Sequence, residues 1–187
     1  AVANTISAVE AGVTHVQGTA NGYGERTGNA DIFAVVANLE LKLGLQVLPP
    51  GSLAETVRVS HAIAEIANLP PDTHQPYAGT SSFAHKAGLH ASALKVSADL
   101  YNHIDPQVVG NDMRVLVTEM AGRASIELKS RELGMDLSDD PDSVARVTNR
   151  VKDLEAQGWS FEAADASFEL MVRRETDSMP TAVYELE

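Results

Sequence analysis

The segment that decides the fold is His15-Val-Gln-Gly-Thr-Ala-Asn-Gly-Tyr-Gly-Glu-Arg-Thr-Gly-Asn29. Its glycines allow the backbone to adopt positive φ or to approach a ligand closely, which is typical of a loop. The short, mostly β-branched run 13–17 before it predicts a strand. Asp31 after it can cap a helix over 32–43, whose apolar residues recur at helical spacing. The sequence therefore predicts a strand, a loop and a helix.

A loop that leaves the carboxyl end of a strand is where α/β proteins usually bind ligands. Gly22, Gly24 and Gly28 are spaced as Gly-x-Gly-x-x-x-Gly, which differs from the dinucleotide-binding pattern. The sequence also contains no P-loop Gly-Lys-Ser/Thr. From spacing alone, a ligand-binding loop and a glycine-rich connection without chemistry both remain open.

Composition restricts the possible classes of protein. The chain has 187 residues, 44% of them hydrophobic, which is enough for one domain or two small ones. The absence of cysteine excludes disulfides, thiolate metal sites and thiol catalysis. A net charge of −12 argues against binding nucleic acid, and the lack of a long apolar run argues against a membrane span. A cytoplasmic location is compatible with this composition.

Helix signals and apolar periodicity recur along the rest of the chain. They predict helices over 1–12, 52–69, 81–97 and 124–133 and an antiparallel helix pair within 139–174. Ser52-x-x-Glu55 matches a capping box, and Asp140-Pro141 matches an N-cap followed by proline. Short apolar runs predict strands at 113–117 and 182–186, and the proline-rich segment 70–80 is the best candidate for a domain boundary.

The order of residues in the glycine-rich segment carries further information. Gln17-Gly-Thr-x-Asn-Gly-x-Gly-Glu-Arg-x-Gly-Asn29 resembles the last strand and loop of the catalytic barrel in the isopropylmalate, homocitrate and citramalate synthase family. Phe83-Ala-His-Lys-Ala-Gly-Leu-His-x-Ser-Ala93 resembles the family stretch that reaches over the barrel mouth of the neighbouring subunit. Three further motifs look most like citramalate synthase of the longer type: Gln75-Pro-Tyr-x-Gly79, Val109-Gly-Asn-x-x-Arg-Val-Leu-Val117 and Met120-Ala-Gly-Arg123.

The resemblance extends from Ala1 to about Arg174 and implies a domain organisation. It implies a mostly α fragment that contains the last βα part of a TIM (β/α)8 barrel followed by helical linker subdomains. The implied ranges are 1–79 for the barrel end with appended helices, 80–115 and 116–175 for the two linker subdomains, and 176–187 for a linker toward a regulatory domain. In the family a His-x-His metal motif lies upstream of this segment, so the chain is expected to be a fragment.

The resemblance also implies site residues. A lone asparagine in a glycine loop is more often a turn former, but the position of Asn29 matches the family asparagine that ligates a divalent metal, which is Zn, Mg or Mn. Glu25 and Arg26, which need not pair with each other, match residues that brace this loop.

His90 matches the catalytic histidine of the family and Tyr101 the tyrosine that assists it. Imidazole titrates near neutrality, which suits proton transfer. His85 lies five residues before His90, so a continuous helix would put the two on different faces and make a shared metal site unfavourable. His15, His61 and His74 match no motif and are interpreted as structural.

The implied reaction is a Claisen-type condensation of acetyl-CoA with an α-keto acid, with pyruvate favoured, in branched-chain amino-acid biosynthesis. A homodimer is expected, and the fragment is expected to be inactive alone. Two alternatives stay open: a fragment of a 2-isopropylmalate or homocitrate synthase, and a segment that acts mainly in dimerisation or as a linker.

Overall fold

The computed structural model describes residues 1–118, 121–176 and 178. Seven α-helices dominate it: α1 Val2–Glu10, α2 Ile32–Leu41, α3 Thr56–Ile66, α4 Gly88–Val96, α5 Arg123–Glu132, α6 Pro141–Ala156 and α7 Asp165–Glu175. The described strands are β1 Ala84–His85 and β2 Arg114–Val115, and short 3-10 helices cover Ala20–Gly22, Ser52–Glu55, Ala98–Leu100 and Pro106–Val109. The predicted mostly helical fold is confirmed.

The chain divides into two compact units. The first contains residues 1–83 and 104–113, and the second contains residues 84–103 together with the described residues from 114 onward. Within the described residues, no helix is both long and apolar enough to cross a membrane. Met120, the first residue of the motif Met120-Ala-Gly-Arg123, and the predicted strand at 182–186 lie outside the described residues.

The first unit is built on α1, α2 and α3. As predicted, Asp31 caps α2, because its Oδ1 accepts a hydrogen bond from the backbone N–H of Phe33 at 3.1 Å. The core of this unit is apolar and includes residues from the helices and from later loops, namely Ala34, Ala37, Leu53, Tyr77, Phe83 and Val109. Helix α2 lies at its centre, with Val35 and Ala37 fully buried.

The predicted strand at 13–17 is not formed. The nearest pairing is a single bridge between Thr19 and Asp31. A parallel strand exists only while a neighbouring strand supplies hydrogen-bond partners, and the described residues contain no strand beside this segment. Residues 13–17 therefore form a connection without regular secondary structure between α1 and the glycine-rich loop.

The predicted helix at 52–69 differs at both ends. The capping box does not form, because Ser52–Glu55 is a 3-10 turn without a side-chain cap and α3 begins at Thr56. The hydroxyl of Thr56 donates instead to the carbonyl of Leu53 at 2.6 Å. At the other end, Asn68 adopts φ +53 and Leu69 donates its N–H back to Ala64, which ends the helix early.

The second unit contains a parallel strand pair and the helices α4 to α7. Ala84 pairs with Arg114 and His85 with Val115, so the strand predicted at 113–117 is confirmed in its centre. The helix predicted over 81–97 is wrong in its first half, since β1 occupies part of that half and α4 begins at Gly88. Because Ala84 and His85 pair with β2, their backbone groups cannot take part in a helix.

Helices α5, α6 and α7 share one apolar core. As the periodicity predicts, Val144, Val147 and Val151 of α6 are buried, and α7 contributes Phe168 and Val172 to the same cluster. Asp140 caps α6 by accepting hydrogen bonds from the hydroxyl and backbone N–H of Ser143. These hydrogen bonds lower the pKa of the Asp140 carboxyl below its usual value.

A buried lysine links α5 to α7. Lys129 is 2% exposed, and its Nζ lies 2.9 Å from a carboxylate oxygen of Glu132 and 3.0 Å from one of Asp165. A buried ammonium needs carboxylate partners to offset its charge, and because one of the two lies on α7, this contact ties the start of α7 to α5.

We expect Gly110→Ala to destabilise the first unit more than Gly44→Ala does. Both glycines have positive φ, +73 and +66 respectively, so alanine costs about 1–2 kcal/mol at either site. A Cβ at Gly110 would also lie well inside contact distance of the Ala54 carbonyl, whereas a Cβ at Gly44 meets no atom within 4 Å. This overpacking adds roughly 1–3 kcal/mol. Native-state hydrogen exchange of the buried Val35 amide measures the difference; equal losses would contradict the prediction.

Candidate functional site

The first candidate site is the glycine-rich loop in the first unit. The loop is closed at its base by Thr19, whose N–H donates to Ala30 at 2.9 Å and whose carbonyl accepts from Ile32 at 3.0 Å. Gly28, at φ +90, is required by a close backbone approach, because a Cβ at this position would lie 2.3 Å from the carbonyl oxygen of Gly22. The loop therefore has one compact path determined by these backbone contacts.

A polar network holds the loop from behind. The side-chain oxygen of Asn21 accepts hydrogen bonds from the hydroxyl of Ser60 at 2.7 Å and from the amide of Gln75 at 3.1 Å. The same Gln75 amide nitrogen donates to Asp31 at 3.0 Å, and the Asn21 amide donates to the Ser60 carbonyl at 3.0 Å. Ser60 and Gln75 are buried. This network fixes Asn21 at φ +55 and connects the loop to α3.

The sequence analysis did not identify Asn21 or Ser60 as positioning residues. Gln75 appeared there only as part of a family motif. A signal was nevertheless present, because Ser60 lies on the buried face of α3, where a polar residue requires a partner.

Asn29 lies exposed at the end of the loop. Its Nδ2 donates to the carbonyl of Tyr23 at 3.3 Å, and its Oδ1 accepts no hydrogen bond from any residue that the structure describes. The residue lines a depression of about 310 Å³ together with Gln17, Gly18, Thr19 and Ala30. The orientation of the amide thus leaves one neutral oxygen available to a ligand.

An amide oxygen suits a hard divalent cation, but one donor does not make a metal centre. Over residues 1–118, 121–176 and 178, no three His, Cys, Asp or Glu side chains are grouped so that they could hold a metal ion. The described residues therefore provide a single potential donor, and a metal would need further ligands.

Glu25 and Arg26 form an ion pair that the sequence did not predict. The sequence suggested that these neighbours need not pair, yet the Nη1 of Arg26 lies 2.9 Å from the Oε2 of Glu25. Both side chains are more than four-fifths exposed, so this ion pair contributes little to stability.

The second candidate site is a cluster of rings in the second unit. His90 on α4 stacks on Tyr101, with the ring centroids 4.0 Å apart and the planes 29° apart. Tyr101 directly follows the 3-10 turn Ala98–Leu100. The structure thus brings together the two residues for which the resemblance implied a shared role. His90 is half-buried and Tyr101 is exposed, so a ligand can reach both rings.

His85 also belongs to this cluster, contrary to the argument from sequence spacing. It lies in β1 rather than on α4, because its backbone pairs with β2 and its carbonyl accepts from the N–H of Leu116 at 2.9 Å. Its ring meets His90 edge-on at 5.9 Å and Tyr101 edge-on at 6.3 Å. The helical offset that was expected to separate His85 from His90 therefore does not apply.

Two other histidines, His61 and His74, make contacts away from this cluster. The Nε2 of His61 lies 3.2 Å from the carbonyl of Ala78, and the Nδ1 of His74 lies 3.1 Å from the hydroxyl of Thr73. Chemically, the ring cluster offers imidazoles, which exchange protons near neutral pH, and a phenol, which can donate or accept a hydrogen bond. This combination suits general acid–base chemistry.

Comparisons with known proteins agree with the motifs. A family model described as HMGL-like matches residues 1–67, and one described as homocitrate synthase post-HMGL domain-like matches residues 78–158. The (R)-citramalate synthase of Streptomyces coelicolor is 65% identical over 187 residues, which is 100% of this chain and 35% of that protein.

Two further (R)-citramalate synthases match 93% of this chain. The protein of Aquifex aeolicus is 43% identical over 174 residues, which is 33% of its length. The protein of Synechocystis is 47% identical over 174 residues, which is 32% of its length. The chain therefore spans about a third of the length of the curated relatives it matches.

We expect Gln75→Leu to loosen the glycine-rich loop. The substitution removes the hydrogen bonds from the Gln75 amide to Asn21 and Asp31 in a partly buried network, at a cost of roughly 1–3 kcal/mol. Urea unfolding measures the loss, and faster amide exchange over residues 21–29 locates it. Gln107→Leu, on an exposed side chain of the same unit, should change stability by less than about 0.5 kcal/mol. Equal effects of the two substitutions would show that the network does not hold the loop.

Proposed function

Because the chain belongs to the HMGL-like and homocitrate synthase family, we propose that it is part of an enzyme that condenses acetyl-CoA with pyruvate to form citramalate. In this proposal residues 1–79 are the end of the catalytic barrel, residues 80–115 and 116–175 are linker subdomains, and residues 176–187 lead toward a regulatory domain. The stacked pair of His90 and Tyr101 is the observation that carries the proposal.

The proposed reaction requires proton transfers at defined atoms. A base removes a proton from the methyl group of acetyl-CoA, the resulting carbanion attacks the keto carbon, and the alkoxide takes up a proton. Water then cleaves the thioester and releases CoA. His90 is proposed to exchange a proton during these steps, and Tyr101 to orient its ring and donate a hydrogen bond.

Asn29 is proposed to help bind the metal that activates the keto acid. Its free Oδ1 would be one donor to a divalent metal, Zn, Mg or Mn. Such a metal, when bound, polarises the keto carbonyl and offsets the negative charge of the substrate. The hydrogen bond from the Asn29 Nδ2 to the Tyr23 carbonyl orients this amide, and the network around Asn21 holds the loop that carries it.

Apolar side chains around His90 support a site that is completed by a second copy. Leu89 and Val96, seven residues apart on α4, are 73% and 82% exposed, and Leu100 nearby is also exposed. Large apolar side chains clustered on one surface are typical of a protein interface. We propose that this surface faces another subunit of a homodimer and delivers His90 to its site.

A second candidate function is a dimerisation and linker module without its own ligand. The same exposed side chains favour it, and so does the lack of a metal-ligand group among the described residues.

The keto acid is a separate question. An intact synthase tested with pyruvate, 2-oxoisovalerate and 2-oxoglutarate would show whether it makes citramalate, 2-isopropylmalate or homocitrate.

We expect the 187-residue polypeptide alone to release no CoA, because Asn29 alone cannot hold a catalytic cation. A thiol assay with acetyl-CoA, pyruvate and each metal checks this, and calorimetric titration of the metals should show no binding. Keto-acid-dependent turnover above the blank would contradict the prediction.

In an intact synthase that carries this segment, His90→Ala should lower kcat by roughly 10²–10⁴ and leave the KM for pyruvate nearly unchanged, as for the loss of a positioned acid or base. His61→Ala, in the other unit, is the matched control and should retain activity. Full activity of the His90 variant would contradict the proposed function.

Mixing subunits tests whether the site is shared. If His90 acts on the site of the other subunit, mixed dimers of His90→Ala and Asn29→Ala variants contain one intact site, and random assortment restores about a quarter of the activity. No recovery after verified subunit exchange would show that His90 acts within its own subunit.

A further inference from the structure

We propose that His85 and Asn102 are positioning residues that hold the stacked pair of His90 and Tyr101 in its reactive arrangement. This inference rests on the proposed function for the role of His90. It differs from the expectation drawn from sequence spacing, which placed His85 and His90 on different faces of one helix.

His85 is anchored at both its backbone and its side chain. Its backbone is paired in register with Val115 of β2, and its carbonyl accepts from Leu116 at 2.9 Å. Its side-chain Nε2 lies 2.9 Å from the Oδ1 of Asn102. An amide oxygen only accepts hydrogen bonds, so this contact places a proton on Nε2 and leaves Nδ1 without one in the neutral ring.

The anchored ring then limits the movement of its two neighbours. Its edge-on contacts with His90 and Tyr101, at interplanar angles of 70° and 72°, have the distances favoured by aromatic pairs. These contacts block one side of the stack. His90 can therefore tilt toward His85 only if the ring of His85 also moves.

Asn102 completes the arrangement because it directly follows Tyr101 in the chain. The hydrogen bond to His85 spans 17 positions and closes the segment that carries α4 and the 3-10 turn. Tyr101 is thereby linked to β1 through its neighbour Asn102, and the turn that carries it is not free to move. His85, Asn102 and the strand pair form a rigid support for two rings on separate elements.

A support of this kind matters because proton transfer depends on the placement of the reacting groups. A displacement of about 1 Å can lower a rate by roughly 10²-fold even when the displaced group is chemically intact. Loss of positioning should therefore reduce kcat while the binding of the keto acid, which does not involve these rings, stays unchanged.

The kinetic test uses an intact synthase that carries this segment. His85→Phe keeps an aromatic ring but removes the donor, and Asn102→Leu keeps the imidazole but removes its acceptor. Each should lower kcat by roughly 10- to 100-fold, with little change in the KM for pyruvate. Asn102→Asp keeps an acceptor oxygen and should rescue most of the activity. His61→Gln replaces a histidine that contacts the Ala78 carbonyl and serves as the control.

The outcomes separate the two proposals. If His90→Ala is fully active, the proposed function fails. If His90→Ala is inactive but His85→Phe and Asn102→Leu behave like the His61→Gln control, the positioning role is wrong while the proposed function stands.

A spectroscopic measurement on the 187-residue chain itself does not depend on activity. The nitrogen NMR shifts of His85 should show a proton held on Nε2 in the unaltered chain and a mixture of tautomers in the Asn102→Leu variant. The nuclear Overhauser cross-peak between the ring protons of His85 and Tyr101 should also weaken in that variant. Identical spectra for both chains would overturn the inference.

Discussion

A β-strand needs a hydrogen-bonded neighbour, and this requirement determines the structure of both units. In the second unit the parallel pairing of 84–85 with 114–115 ends the preceding turn and sets the start of α4. It thereby decides that His85 lies on a strand facing the rings of His90 and Tyr101. In the first unit the mostly β-branched run 13–17 has no such neighbour among the described residues and remains an irregular connection.

Local signals predicted most of the helices, whereas contacts between distant residues escaped prediction. Asp31 and Asp140 act as caps because their side chains reach N–H groups two or three residues away. The failed capping box at Ser52 and the misplaced His85 depend on packing and pairing with segments far along the chain. The resemblance pointed to His90 and Tyr101, and their stacking agrees with a shared role. The hydrogen bond between Asn102 and His85 could not be predicted from the spacing of residues in the sequence.

In the proposed function, the two candidate sites carry different parts of the chemistry. The first unit offers a neutral oxygen on a loop held by buried amides and a hydroxyl. The second offers ring nitrogens and a phenol on a frame of strand and helix. A condensing enzyme needs a group that polarises the ketone and a group that moves protons. In the proposal, the first unit supplies one oxygen donor to the polarising metal, and the second unit supplies the groups that exchange protons.

The burial of Lys129 has a consequence for the chemical reactivity of the chain. Amine reagents attack the uncharged form of accessible lysines, and Lys86 and Lys95 are at least partly exposed to them. Lys129 is enclosed between two carboxylates, so acylation can reach it only when the packing of α5 against α7 opens. The rate at which Lys129 is labelled would therefore report how often the packing of α5 against α7 opens locally in solution.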